Sequence, residues 1–146
     1  MVIVNDRADI ATLSGAAGVH LGQDDLEPAF ARRLLGGDAV IGMSTHSLDQ
    51  VRAAAKMPVD YIAVGPIFGT TTKETGYGAT GTAFVSEAAA VARGAGSKPI
   101  VAIGGITLDR APDVIRAGAV SVAVISDLLS TGNPEARVRD YLRRLE

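Results

Sequence analysis

Tyr61-Ile62-Ala63-Val64-Gly65-Pro66-Ile67-Phe68-Gly69-Thr70-Thr71-Thr72-Lys73 joins a short, β-favouring apolar run to a loop rich in glycine and hydroxyls. Gly65 and Pro66 end the regular run. Gly69 to Lys73 then offers bare backbone amides, three hydroxyls and an ammonium, groups that suit phosphate oxygens. The same residues would also serve as a solvated Gly/Thr turn with a surface lysine. The rest of the chain has to decide between the two.

Similar short apolar runs recur on either side: Val2 to Val4, Gly18 to Leu21, Ala39 to Met43, Pro99 to Ile103 and Ser121 to Ile125. Most are continuously apolar rather than alternating, which reads as strands of a parallel sheet buried on both faces, with helices covering both sides. Helices are expected over Ala8 to Ser14, Glu27 to Leu35, Ser47 to Lys56, Thr82 to Arg93, Arg110 to Ala117 and Glu135 to Leu145. Ser47 with Gln50 resembles a capping box, and Asn133 followed by Pro134 fits a cap and first helical residue. The result is a βα unit repeated six times with strand starts about twenty residues apart. The longer interval around GTTTKETGYGATG is the exception, and Glu74 to Gly81 there is expected to form a mobile loop over a site. No linker divides residues 1–146, so one domain is expected.

A parallel βα series builds either an open doubly wound sheet or a closed barrel. Six units suffice for the first, whereas a closed (β/α)₈ barrel usually needs at least ~200 residues. Length favours the open sheet, and the motifs below favour the barrel.

The bulk numbers narrow the function. With 14 basic and 16 acidic residues scattered along 146, no long basic run and three each of tyrosine and phenylalanine, a nucleic-acid partner is not expected. The chain has no cysteine, hence no thiolate metal site and no cysteine nucleophile, which fits a reducing cytoplasm. The opening apolar residues are too few for a signal peptide and no later run approaches a membrane span, so a membrane partner is not expected either.

Polar and glycine residues cluster where each strand hands over to its loop: Asn5-Asp6, Gly22 to Asp25, Ser44-Thr45-His46, Gly69 to Lys73, Gly104 to Thr107 and Ser126-Asp127. In parallel α/β folds the carboxyl ends of the strands share one face, so all six sets converge on one site. Gly104-Gly105 and Ile125-Ser126 follow the last two strands, where barrels commonly hold a phosphate; a tight turn alone would also need the glycines. Asp6 and Asp25 end neighbouring strands and could share a hard cation with phosphate oxygens and water, or could cap the helices that follow. His20, inside GVHLG, fits a packed or hydrogen-bonded sheet residue better than a general base, and much the same holds for His46. No Ser/His/Asp order, HExxH helix, Walker loop or GxGxxG fingerprint is present.

Taken together, IVNDR, GVHLGQDD, IGMSTHS, YIAVGPIFGTTTK, VAIGGIT and VAVIS resemble the thiamine phosphate synthase family, in its order and nearly at its spacing. The resemblance implies a (β/α)₈ barrel and a transferase that joins hydroxymethylpyrimidine diphosphate to thiazole phosphate, giving thiamine phosphate and pyrophosphate with Mg²⁺. It implies that Asp6 and Asp25 hold Mg²⁺, that Asn5 and Lys73 bind the departing pyrophosphate, and that Ser44 lies beside the diphosphate. Thr70, Thr72 and Gly105, with the backbone of Ile125 and Ser126, would hold the thiazole phosphate. Lys73 and Ser44 are the implied catalytic residues. Metal and lysine would stabilise the leaving group while the thiazole nitrogen captures a pyrimidine cation, so catalysis would be electrostatic and positional.

In the family, two βα units precede the segment resembling IVNDR, and the second carries a Gln-x-Arg-x-Lys pattern with no counterpart here. The expected fold is therefore an incomplete TIM (β/α)₈ barrel of about six βα units, its strands equivalent to the third to eighth. Exposed edges at Val2 to Val4 and Ser121 to Ile125 would favour a homo-oligomer or a partner that covers them. Turnover would be impaired while thiazole-phosphate binding survives. The alternatives are a non-catalytic phosphate-ligand binding or regulatory module of the same fold, and an unrelated six-stranded open sheet.

Overall fold

The structure, a computed structural model, describes residues 1–70 and 76–146. Six strands, β1 (Ile3–Asn5), β2 (Gly18–Leu21), β3 (Val40–Thr45), β4 (Tyr61–Val64), β5 (Ile100–Ile103) and β6 (Ser121–Ala123), form one parallel sheet in sequence order. Between and after them run α1 (Ala8–Ser14), α2 (Pro28–Leu35), α3 (Leu48–Ala54), α4 (Gly81–Gly94), α5 (Ala111–Arg116), α6 (Ser126–Leu129) and α7 (Pro134–Leu145).

The strand order decides between the two architectures. A doubly wound sheet reverses direction once, and its two halves carry helices on opposite faces. Here the order never reverses, so crossovers of one hand leave every connecting helix on the same face. The expectation of helices on both faces is corrected on this point: the sheet is singly wound and curls as part of a barrel wall. Val19, Leu21, Ile41, Ile62, Val64 and Ala102 on the helix-facing side are fully buried and share one core with Ala11, Val51, Val85 and Val114. His20, Gly42, Ser44, Tyr61 and Ala63 occupy the other face, in register across β2, β3 and β4. His20, Ser44 and Tyr61 are only partly buried, so this face is the open concave one.

Local signals act as the sequence implies. Ser47 caps α3 by accepting from the Gln50 amide at 3.3 Å, although the Gln50 side chain reaches the His46 N–H at 2.6 Å instead of closing the box on Ser47. Asn133 accepts from the Ala136 N–H at 3.0 Å and Pro134 opens α7. Two boundaries differ in kind. The last strand stops at Ala123 instead of Ile125, because Ile125 leaves the extended region (φ −120, ψ −76) to cap the unexpected single-turn helix α6. Asp6 and Asp25 cap nothing: Arg7 and Glu27 occupy the cap positions of α1 and α2, without side-chain cap bonds.

Among the described residues β1 and β6 each pair on one side only. Beside β6 an apolar groove of about 410 Å³ is lined by Val122, Val124, Leu128, Tyr141, Leu142 and Leu145. No helix among the described residues is long and apolar enough to cross a membrane.

Candidate active site

Because all six strands are parallel, their carboxyl ends open on one rim. There the segment after β4 is clamped to β5: the Ile67 N–H donates to Ile103 O at 2.9 Å and the Phe68 N–H to Gly104 O at 3.0 Å. The chain returns to the same place, where Thr80 donates to Pro66 O through both its N–H and its hydroxyl. The clamp needs glycine at 105. Its φ is +61°, and an added Cβ would stand 2.5 Å from Gly69 O and 2.9 Å from Phe68 Cβ.

An open pocket of about 460 Å³ results, lined by Gly69, Thr70, Gly105, Ile106, Thr107, Arg110 and Ser126. Thr70, Gly105 and Ser126, named from the sequence, thus meet in one place, with Ile125 preceding Ser126 at the start of α6. Thr72 and Lys73 lie outside the described residues, as do the first two residues of the expected mobile loop. Sequence reasoning missed Arg110, which it read only as the start of a helix. Its guanidinium stands 4.7 Å from the Phe68 ring centroid and donates to Gly105 O at 3.3 Å, bringing a cation to the pocket.

Asn5 ends β1 opposite His20 of β2, and Asp6 follows it in the left-handed region at φ +63°. The Asp6 N–H donates to His20 O at 2.8 Å, fixing that conformation, which aspartate tolerates better than most residues. Asp25, after β2, accepts the Gly22 N–H on one carboxylate oxygen at 2.6 Å. No group of three or more His, Cys, Asp or Glu that could hold a metal exists among the described residues. Asp6 and Asp25 thus stand in the loops that follow neighbouring strands, and carboxylates are the donor type that a hard divalent cation takes together with phosphate oxygens and water.

On the concave face, His20 stands between two hydroxyls. Its Nδ1 is 2.8 Å from Tyr61 Oη and its Nε2 is 2.8 Å from Ser44 Oγ. The Tyr61 ring crosses Gly42 to reach it, at a place where a Cβ would meet Tyr61 Cζ at 2.1 Å. Burial pushes the Tyr61 phenol above its usual pKa, so it stays protonated. Gln23 donates to the Ser44 carbonyl at 2.6 Å. His46 donates from Nδ1 to Gly65 O at 2.5 Å and stacks on Tyr77 with ring centroids 3.9 Å apart, tying the returning loop to the end of β3.

Behind the pocket, Asp127 binds three elements together. Its carboxylate accepts from Arg137 Nε at 3.0 Å and Nη2 at 3.1 Å, from Tyr141 Oη at 2.6 Å and from the Leu108 N–H at 3.3 Å. Burial alone would raise the Asp127 pKa, but the bonds from Arg137 and Tyr141 and the Arg137 charge together outweigh it and hold the acid below its usual value. The adjoining residues, Thr107 and Ser126, line the pocket.

A singly wound parallel βα sheet with an open pocket between the loops of its last strands defines a barrel-type α/β protein. The thiamine monophosphate synthase family model matches residues 1–128, and the chain belongs to that family. It is 46% identical over 144 residues to a thiamine-phosphate synthase of Koribacter versatilis, covering 99% of this chain and 65% of that protein. It is 48% identical over 136 residues to one from Anaeromyxobacter dehalogenans, covering 93% of this chain and 60% of the relative. The thiamine phosphate pyrophosphorylase structure from Pyrococcus furiosus superposes with a TM-score of 0.84 at 28% identity, over 98% of this chain and 66% of that one. A 3-hexulose-6-phosphate synthase structure, at a TM-score of 0.65 and 15% identity, shares the fold. The chain thus spans somewhat under two thirds of the length of these two synthases.

Proposed function

We propose that this chain carries out thiamine phosphate synthesis, condensing hydroxymethylpyrimidine diphosphate with thiazole phosphate and releasing pyrophosphate. The observation that carries the reading is the shared pocket of Thr70, Gly105 and Ser126 on the same rim as Asp6 and Asp25. In the proposed reaction the bond from the pyrimidine methylene carbon to the diphosphate oxygen breaks, and its electron pair leaves with pyrophosphate. The thiazole nitrogen lone pair then forms the new C–N bond. No protein nucleophile is needed.

Asp6 and Asp25 would hold Mg²⁺, which when bound offsets diphosphate charge. Asn5 and Lys73 bind the departing pyrophosphate, and the Ser44 hydroxyl donates to the diphosphate. Thr70, Thr72, Gly105, Ile125 and Ser126 hold the thiazole phosphate, with Arg110 added as its charge partner. A cytoplasmic setting is part of the proposal.

The test is thiamine phosphate formation by the purified chain with both substrates and Mg²⁺, beside Asp25→Ala and Lys73→Ala. Turnover lost in both variants supports the synthase reading. A folded but inactive chain that still binds thiazole phosphate would replace it with the second reading, a phosphate-ligand binding module, which the self-contained pocket favours. The one-sided edges of β1 and β6 and the groove beside β6 support association with another copy or a partner segment. Light scattering that finds only monomer would remove the homo-oligomer.

A further inference from the structure

We infer that Tyr61 holds His20 as the Nε2–H tautomer, and that His20 thereby turns the Ser44 hydroxyl proton outward as a donor to an anion at the strand ends. This rests on the proposed function for the anion's identity, the diphosphate. The hydrogen-bond polarity itself does not depend on it.

The three residues lie on one face of adjacent strands. His20 is in register with Gly42, Gly42 with Tyr61, and Ser44 lies two residues beyond Gly42 on the same side. The row has direction: Tyr61 begins β4, away from the rim, while Ser44 lies near the carboxyl end of β3. Two polarities are possible for the chain of hydroxyl, imidazole and hydroxyl. In one, Tyr61 donates to Nδ1 and Nε2–H donates to Ser44 Oγ, leaving the Ser44 proton at the rim. In the other, Ser44 donates to Nε2 and Nδ1–H donates to Tyr61, leaving the phenol proton unused on the concave face, back from the rim.

The second polarity gives that proton no protein acceptor, since among the described residues His20 is the phenol's one hydrogen-bond partner. The first leaves an unmatched donor only where an anion can accept it. Gly42 is part of the arrangement, because any side chain there would push the phenol off His20. Gln23, donating to the Ser44 carbonyl, fixes the strand end from which the hydroxyl projects. His20 is thus a positioning residue acting through Ser44, and it need not change protonation state during the reaction.

The test is ¹⁵N NMR of the histidine-labelled chain without ligand. The chain has two histidines, and His20→Asn assigns the signals. The expected spectrum shows His20 Nδ1 unprotonated and Nε2 protonated, with Tyr61→Phe shifting the population toward Nδ1–H. A wild-type His20 already protonated at Nδ1 overturns the inference, whether or not the chain makes thiamine phosphate. Kinetics supply a second arm. Tyr61→Phe should lower kcat/KM for the diphosphate substrate about tenfold, the worth of one hydrogen bond to a charged group, with the thiazole phosphate KM unchanged. His20→Gln, whose amide can both accept and donate, should retain more activity than His20→Leu. Equal losses in these two would overturn the positioning role, and an inactive wild type would refute the synthase reading while the spectrum still decides the polarity.

Discussion

Replacing Asp127 with alanine removes the acceptor on which α6, α7 and the loop after β5 converge. The Asp127 and Arg137 side chains are only 11% and 19% exposed, and Tyr141 is 7% exposed. The variant leaves a largely desolvated guanidinium without its carboxylate, and leaves the Tyr141 hydroxyl with only the long 3.5 Å approach to Ile106 O. Leaving the partners of a partly buried carboxylate unsatisfied costs about 1–3 kcal/mol, against a typical domain stability of about 5–15 kcal/mol. At about 2–4 °C per kcal/mol, melting should fall by about 2–12 °C at pH 7. The pH dependence has a definite sign. Asp127 titrates below its unfolded value of about 3.9, so its contribution is complete above that pH and fades as pH falls through the folded pKa. The gap between wild type and variant should therefore narrow below about pH 4. Denaturant melts from pH 7 to pH 2 would measure it, with Arg137→Ala and the double variant giving the coupling. A gap under about 1 kcal/mol at pH 7, or one that stays constant into acid, would refute the assignment.

Gly105→Ala forces a side chain against Gly69 O in a left-handed conformation, so it should destabilise by about 1–3 kcal/mol and weaken inorganic phosphate binding; calorimetric titration reads both a lost and an unchanged affinity. Asp6→Asn keeps tolerance of φ +63° but removes the charge, so the Mg²⁺ concentration for half-maximal turnover should rise at least tenfold, as it does when even an outer partner of a metal site is lost. Ser47→Ala removes the α3 cap and should cost about 1 kcal/mol in a denaturant melt, with no effect on ligand binding.

What was legible in the sequence followed periodicity and local chemistry. The runs at Gly18 to Leu21 and Tyr61 to Val64 are strands at those bounds, since a continuous apolar run bounded by glycine or proline leaves little else. The convergence of Thr70, Gly105 and Ser126 was legible because parallel strands put all their exits on one rim. Helix α6 was not, because a single turn has little propensity of its own and depends on Asp127 reaching α7 and Leu108. The His20 row was hidden for a different reason: it depends on register across three strands, which no single segment contains. Its trace was Gly42, a glycine inside a strand, which signals close approach of another group. Arg110 was overlooked because a basic residue at the start of a helix looks like solvated surface until its fold partners, Phe68 and Gly105, are known.

The unreversed order of the strands governs how the protein opens as well as how it is built. Among the described residues each strand is bonded only to its neighbours in sequence order, so stability is passed along the chain as in a row of stacked repeats. An amide in β3 or β4 exchanges with solvent only after two or more units have come away on one side, whereas β1 and β6 open by breaking a single interface. The pocket proposed for phosphate straddles that gradient: Gly69 and Thr70 hang from the slow interior, while Ser126 belongs to the fast-opening end. An anion held between them fastens the loose end to the firm middle, and the protection it confers on α6 and α7 is a direct count of how tightly it is held.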